Sequence, residues 1–188
     1  MARPKSEDKR SAILAAATRV IAAQGLGAPT AAIAKAAGIS NGSLFTYFET
    51  KHELLDQLYL DLKVEMASAA MADLPSGSEP RTQVLHLWTH WLEWAEACPE
   101  KRRALAHLCV SDAITPASRQ IVGASFAKVL DLLEGIRAAG PMREVPLAFV
   151  LSLMNALADA TIDFAIQDPD HADAHGRAAF EAFWRMLA

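Results

Sequence analysis

Asn41, Gly42 and Ser43 are the residues whose types and spacing most directly suggest chemistry. An asparagine amide both donates and accepts, a serine hydroxyl does the same, and a glycine has no side chain to hold a partner away. Placed at the start of a short helix, such a triplet suits the edges of bases, which carry a distinct donor and acceptor pattern in the DNA major groove. Lys51 follows at the start of the next helix, where an ammonium and free backbone amides together suit a phosphate. No nucleophile–base pair, phosphate loop or carboxylate–histidine metal set is present. No enzyme activity and no cofactor are therefore expected.

The elements that must hold these residues are helices. Alanine is abundant and β-branched residues are few, and no stretch reads clearly as a strand. Ser6 can cap a first helix, with Glu7 and Asp8 in its first turn. Ile13, Leu14, Ala17, Val20 and Ile21 form its apolar stripe, and Gly25 ends it. A second, short helix starts at Pro29, shows Ile33, Ala34 and Ala37 on one side, and stops at Gly38. Ser40 caps a third helix of about two turns, in which Leu44 and Phe48 face inward. A glycine at the corner followed by Ile39 turned back to the core is the layout of a helix-turn-helix. An ordinary helical hairpin would explain Leu44 and Phe48 equally well, but not a helix-weakening Gly42 beside two small polar residues.

Charge supports an anionic partner for the head alone. Residues 1–51 hold seven basic and three acidic side chains, a net +4, which leaves −8 for the rest of a chain whose total is −4. With 188 residues and 52% apolar content, a packed core is expected rather than disorder. Cys98 and Cys109 fit no disulfide framework or metal pattern and read as reduced thiols. No apolar run reads as a membrane span and the start lacks an apolar signal core, so a cytoplasmic protein with no membrane partner is expected.

Beyond Lys51, the spacing predicts a long helix carrying Leu54, Leu55, Leu58, Leu62 and Met66. A central helix over 82–98, helices over 100–112 and 116–138, and a strongly apolar helix over 145–167 follow, with a last helix over 173–187. The expectation is an all-α chain of about nine helices, divided at residues 50 and 51.

Residues 33–48, followed by Lys51, Glu53, Leu54 and Leu55 and preceded by Arg10, Ile13, Leu14 and Ala17, resemble the signature of the TetR/AcrR family of transcriptional regulators. The resemblance implies a helix-turn-helix domain (1–50) followed by a helical ligand-binding and dimerisation domain (51–188). It further implies a homodimer on a near-palindromic double-stranded DNA operator, released by a small-molecule effector. Carried onto this sequence, Asn41, Gly42 and Ser43 would sit at base edges. Thr30, Tyr47 and Lys51 would contact phosphates, with Thr46 at the edge of both sets. Phe45 stands where a tyrosine is usual, and Ala31 where some relatives place a base-reading arginine. Both departures imply fewer direct polar contacts, and the arm Arg3-Pro4-Lys5 would add charge.

The resemblance places dimerisation on the last two helices. Leu147, Val150, Leu151, Met154, Leu157 and Ala158 on one, and Phe180, Phe183, Trp184 and Leu187 on the other, suit a four-helix interface. For an effector, Trp88 and Trp91 (with Trp94) form an aromatic stripe, while His90, His107, Asp112, Asn155 and Asp159 are polar candidates to orient a mostly apolar ligand. Such a stripe is more often plain core. The pairs His86/His90 and His171/His175 have metal-like spacing but lack the HExxH pattern, and no metal site is expected. Two other readings remain at this point: an interaction adaptor that has lost DNA binding, and a helical-bundle enzyme.

Overall fold

Helical periodicity is realised along the whole described chain. The computed structural model describes residues 5–188; the side chains of Lys5 and Ser6 lie outside the described residues. The cap expected at Ser6 and the arm Arg3-Pro4-Lys5 therefore lie outside them too. Among the described residues there are ten α-helices, one 3₁₀ turn at Pro169–His171, and no strand. The helices are α1 (Lys5–Gln24), α2 (Thr30–Ala36), α3 (Asn41–Leu44), α4 (Lys51–Met71) and α5 (Pro80–Ala97). They continue with α6 (Pro99–Cys109), α7 (Pro116–Ser125), α8 (Ala127–Ala139), α9 (Leu147–Gln167) and α10 (Ala172–Leu187).

The count exceeds the expected nine because the single helix read over 116–138 is two. Phe126 leaves helical geometry (φ −99, ψ 6), and the Ser125 hydroxyl bonds back to the Ile121 carbonyl at 3.1 Å. Such back-bonding draws on the same carbonyls that the helix uses, and it bends or ends helices.

Two compact units form. One comprises the described residues up to Glu65 together with Cys98–Ser125; the other comprises Met66–Ala97 and Phe126–Ala188. In the first, α1 packs on α2 and α6, and α2 packs on α3. Ile13, Ile21, Ile33, Leu44, Phe48, Leu54, Leu58 and Leu108 are all but fully buried there. Each such side chain contributes roughly 1.5–3 kcal/mol by leaving water. Asp56 of α4 accepts from the Thr115 amide at 2.8 Å and the Ser118 hydroxyl at 2.7 Å, which anchors the start of α7.

In the second unit α9 and α10 pair, α5 packs on both, and α8 packs on α5 and α9. Trp88 is its keystone: it is buried, its ring stacks on Phe183 with centroids 6.1 Å apart, and its Nε1 donates to the Gly176 carbonyl at 3.1 Å. A Cβ on Gly176 would lie 3.2 Å from Leu92 Cδ1, so the glycine lets α10 pack closely on that side chain of α5.

Two expectations about this unit change. Phe180, Phe183 and Leu187 are fully buried within the chain, so the α10 stripe closes the unit's own core and is not a free face. Helix α9 is, by length and composition, apolar enough to cross a membrane, contrary to the sequence reading. Its many alanines and leucines raise its hydropathy, yet it carries Asp159 and Asp163 and buries Val150, Ala158, Thr161, Ile162 and Ala165 within the chain. It is a packed helix with one apolar face left in solvent.

Candidate nucleic-acid interface

The corner between α2 and α3 is built by the backbone. Gly38 adopts φ +71, a conformation that costs glycine little. The Gly38 amide donates to the Lys35 carbonyl at 3.1 Å and the Ile39 amide to the Ala34 carbonyl at 3.0 Å. This pair of bonds is a Schellman motif, which satisfies the last carbonyls of α2 while reversing the chain. Ser40 then caps α3: its Oγ accepts from the Ser43 amide at 3.1 Å and shares a 2.8 Å hydrogen bond with the Ser43 hydroxyl.

The third helix is shorter than the two turns expected. Regular α-helix covers Asn41–Leu44, and the coil continues through tighter bonds from Thr46 to the Ser43 carbonyl and from Tyr47 to the Leu44 carbonyl, and an α-type bond from Phe48 to the Leu44 carbonyl. Leu44 and Phe48 are buried at 0% and 1% exposure, so they hold the segment down as its spacing predicts. The Arg10 guanidinium lies 5.0 Å from the Phe48 ring centre, a cation–π contact that the sequence reading did not foresee.

With that face anchored, the opposite face is free. Asn41, Gly42, Phe45 and Thr46 are exposed, and Thr30, Ser43, Tyr47 and Lys51 are half-buried. The Thr46 hydroxyl donates to the Ser43 carbonyl at 2.7 Å, so its donor is spent within the loop. Among the described residues the Asn41 amide has no hydrogen-bond partner and keeps its full donor and acceptor capacity.

Lys51 has a second role that its position in sequence does not reveal. Its ammonium donates to the carbonyls of Leu26 and Ala28, each at 2.6 Å. One of its three N–H donors is left over. Beside it, the Thr50 hydroxyl caps α4 by accepting from the Glu53 amide at 3.1 Å, and Glu53 in turn accepts from the Glu49 amide at 2.6 Å. This is half of a capping box, with Glu53 reaching back one residue further, to the amide before the cap.

The six residues expected at an effector site are divided between the two units. His107 and Asp112 are exposed in the first unit; Trp88, Trp91, Asn155 and Asp159 belong to the second. Trp88 is core. Trp91 is half-buried and meets Trp88 edge to face at 6.1 Å. The exposed Asn155 amide bonds back to the Leu151 carbonyl at 2.6 Å. A shallow cleft of about 300 Å³ in the second unit is lined by Glu79, Arg81, Ile136, Ala139 and Trp184, with Pro80, Gly140 and Ala188 at its edge. His86 and His90 stack with centroids 3.9 Å apart, and His86 bonds the Ala72 carbonyl at 2.7 Å. His171 and His175 both serve the Asp168 carboxylate. No cluster able to hold a metal ion occurs among the described residues.

The helix-turn-helix geometry agrees with the comparisons to known proteins. Residues 13–58 match the profile of bacterial regulatory proteins of the tetR family. A tetR family transcription regulator from Shewanella sp. PV-4 is 28% identical, with a TM-score of 0.84 over 96% of this chain and 98% of that one. A second, from Marinobacter aquaeolei VT8, is 24% identical, with a TM-score of 0.87 over 100% and 99%. The transcriptional regulator FadR from Bacillus subtilis, solved in complex with stearoyl-CoA, shares the fold at 16% identity, with a TM-score of 0.68 over 95% and 99%. Residues 13–58 thus carry the tetR family's signature on a well-formed helix-turn-helix, and the chain shares the fold of TetR family transcription regulators along nearly its whole length.

Proposed function

We propose that this regulator is a cytoplasmic, ligand-responsive repressor that binds a near-palindromic operator as a homodimer. The observation that carries the DNA reading is the two-faced α3 segment. Leu44 and Phe48 are sealed in the core while Asn41, Gly42, Phe45 and Thr46 stand in solvent. Residues 1–50 form the DNA-binding head, with Asn41, Gly42 and Ser43 toward bases and Thr30, Tyr47 and Lys51 toward phosphates.

The dimer face is the α9 stripe that the chain itself leaves uncovered. Phe149 (54% exposed), Ala156, Ala160 and Phe164 (50% exposed) recur at helical spacing with half-buried Leu153 between them. On α10 the exposed alanines Ala174, Ala178 and Ala182 lie one turn apart, and such small residues let helices approach closely. Residues 51–188 then carry dimerisation and effector binding. The effector is a small, mostly apolar molecule, a reading supported by Ile136, Ala139 and Trp184 in the cleft of the second unit and by the stearoyl-CoA held by the Bacillus subtilis FadR.

Gel-shift on DNA upstream of the protein's own gene tests this reading. Specific binding whose logarithm falls linearly with the logarithm of salt concentration is expected. No specific complex, or one indifferent to salt, would count against it. Phe149→Glu with Phe164→Glu should give monomers in sedimentation.

A further inference from the structure

The operator class follows from which side chains of the α3 segment still have chemistry to offer, and this inference rests on the DNA-binding reading above. The Ser43 hydroxyl is engaged with Ser40, the Thr46 donor is spent on the Ser43 carbonyl, and Gly42 has no side chain. Asn41 alone among the exposed polar side chains of 41–46 keeps an unspent amide. Four positions on stands Phe45, 40% exposed, with the backbone still helical there (φ −72, ψ −5). Residues four apart share a helix face. No lysine or arginine occurs between Asn41 and Phe48, so the segment lacks the side chains that most often read guanine.

We infer that Asn41 and Phe45 together read A·T pairs: the Asn41 amide takes the N6 and N7 positions of an adenine, and the Phe45 ring packs on a thymine methyl. An asparagine amide matches adenine's donor–acceptor pair, and an apolar side chain can use the methyl, the one apolar group on a base edge in the major groove. Four helical residues climb about 6 Å. At about 3.4 Å per base pair, the two contacts fall about two steps apart. Two-fold symmetry of a dimer repeats the pair in each half-site.

The test starts from a half-site enriched from random duplex DNA by the full-length protein. Every thymine is then replaced singly by uracil, which removes only the methyl, and every adenine by 7-deazaadenine, which removes only N7. Wild type should lose about fourfold in affinity at one uracil position, the worth of one buried methyl. It should lose about tenfold at one deazaadenine position about two steps away, within the range of a lost bidentate contact. Phe45→Ala should be blind to the uracil and Phe45→Leu should still sense it; Asn41→Ala should be blind to the deazaadenine. Both residues are exposed, so helicity by circular dichroism should match wild type. A half-site of G·C pairs only, or a uracil penalty unchanged in Phe45→Ala, overturns the inference while leaving DNA binding intact. If no sequence is enriched, the regulator reading falls and this one falls with it.

Discussion

The ammonium of Lys51 lies 2.6 Å from the carbonyl oxygen of Ala28, and its next hydrogen meets the Leu26 carbonyl at the same distance. The first residue of α4 thus pins the loop between α1 and α2, and the DNA-binding head is closed by one side chain. Lys51→Met should lower stability by about 1–3 kcal/mol, because charge-assisted bonds are lost and two carbonyls are left without their partner. It should also weaken binding to all DNA sequences alike. Urea denaturation and filter binding read the two effects separately. Loss of DNA binding with unchanged stability would mean the carbonyl contacts contribute nothing.

Ser40 and Asn41 are neighbours with opposite duties. Ser40→Ala removes the α3 cap and should cost about 1 kcal/mol of stability, with affinity reduced and sequence preference kept. Asn41→Ala should leave the melting temperature unchanged and alter sequence preference. Equal losses of specific and non-specific binding in Asn41→Ala would refute the base-contact assignment.

Gly140 and Gly135 make a paired test of packing. A Cβ on Gly140 would overlap the Leu187 carbonyl oxygen, whereas one on Gly135 meets nothing within 4 Å. Gly140→Ala should force the last turn of α10 away and cost about 1–3 kcal/mol. Gly135→Ala, inside α8, should stabilise by about 0.5–1 kcal/mol. Thermal melts of the two variants should therefore move in opposite directions.

Asp168 gives a pH dependence with a definite sign. His175 Nε2 and His171 Nδ1 each donate to its carboxylate at 2.9 Å, and these bonds, the His175 one first, hold its pKa below the ordinary 3.8. A carboxyl depressed on folding contributes stability above its unfolded value and loses it as pH falls through the folded one. The gap in melting temperature between wild type and Asp168→Asn should be full above the ordinary carboxylate range and should close as pH falls below it. A gap constant across that range would show that the two bonds do not favour the ionised form.

Much of this protein was decided by local sequence. Helical periodicity, Gly25 and Gly38 as stops, Ser40 as a cap and the inward spacing of Leu44 and Phe48 are near-neighbour properties, and each is realised. The candidate DNA face was legible for the same reason: it sits on one short, continuous segment. Tertiary structure decided what depends on partners far along the chain. It gave Lys51 two carbonyls more than twenty residues away, and Trp88 a carbonyl on α10. It also turned the apolar stripe of α10 inward, buried or half-buried the expected stripe of α9, and left a different apolar face of α9, with Phe149 and Phe164, in solvent. Periodicity says that a face is apolar; only the packing of distant helices decides whether that face is covered by the chain itself or left for another.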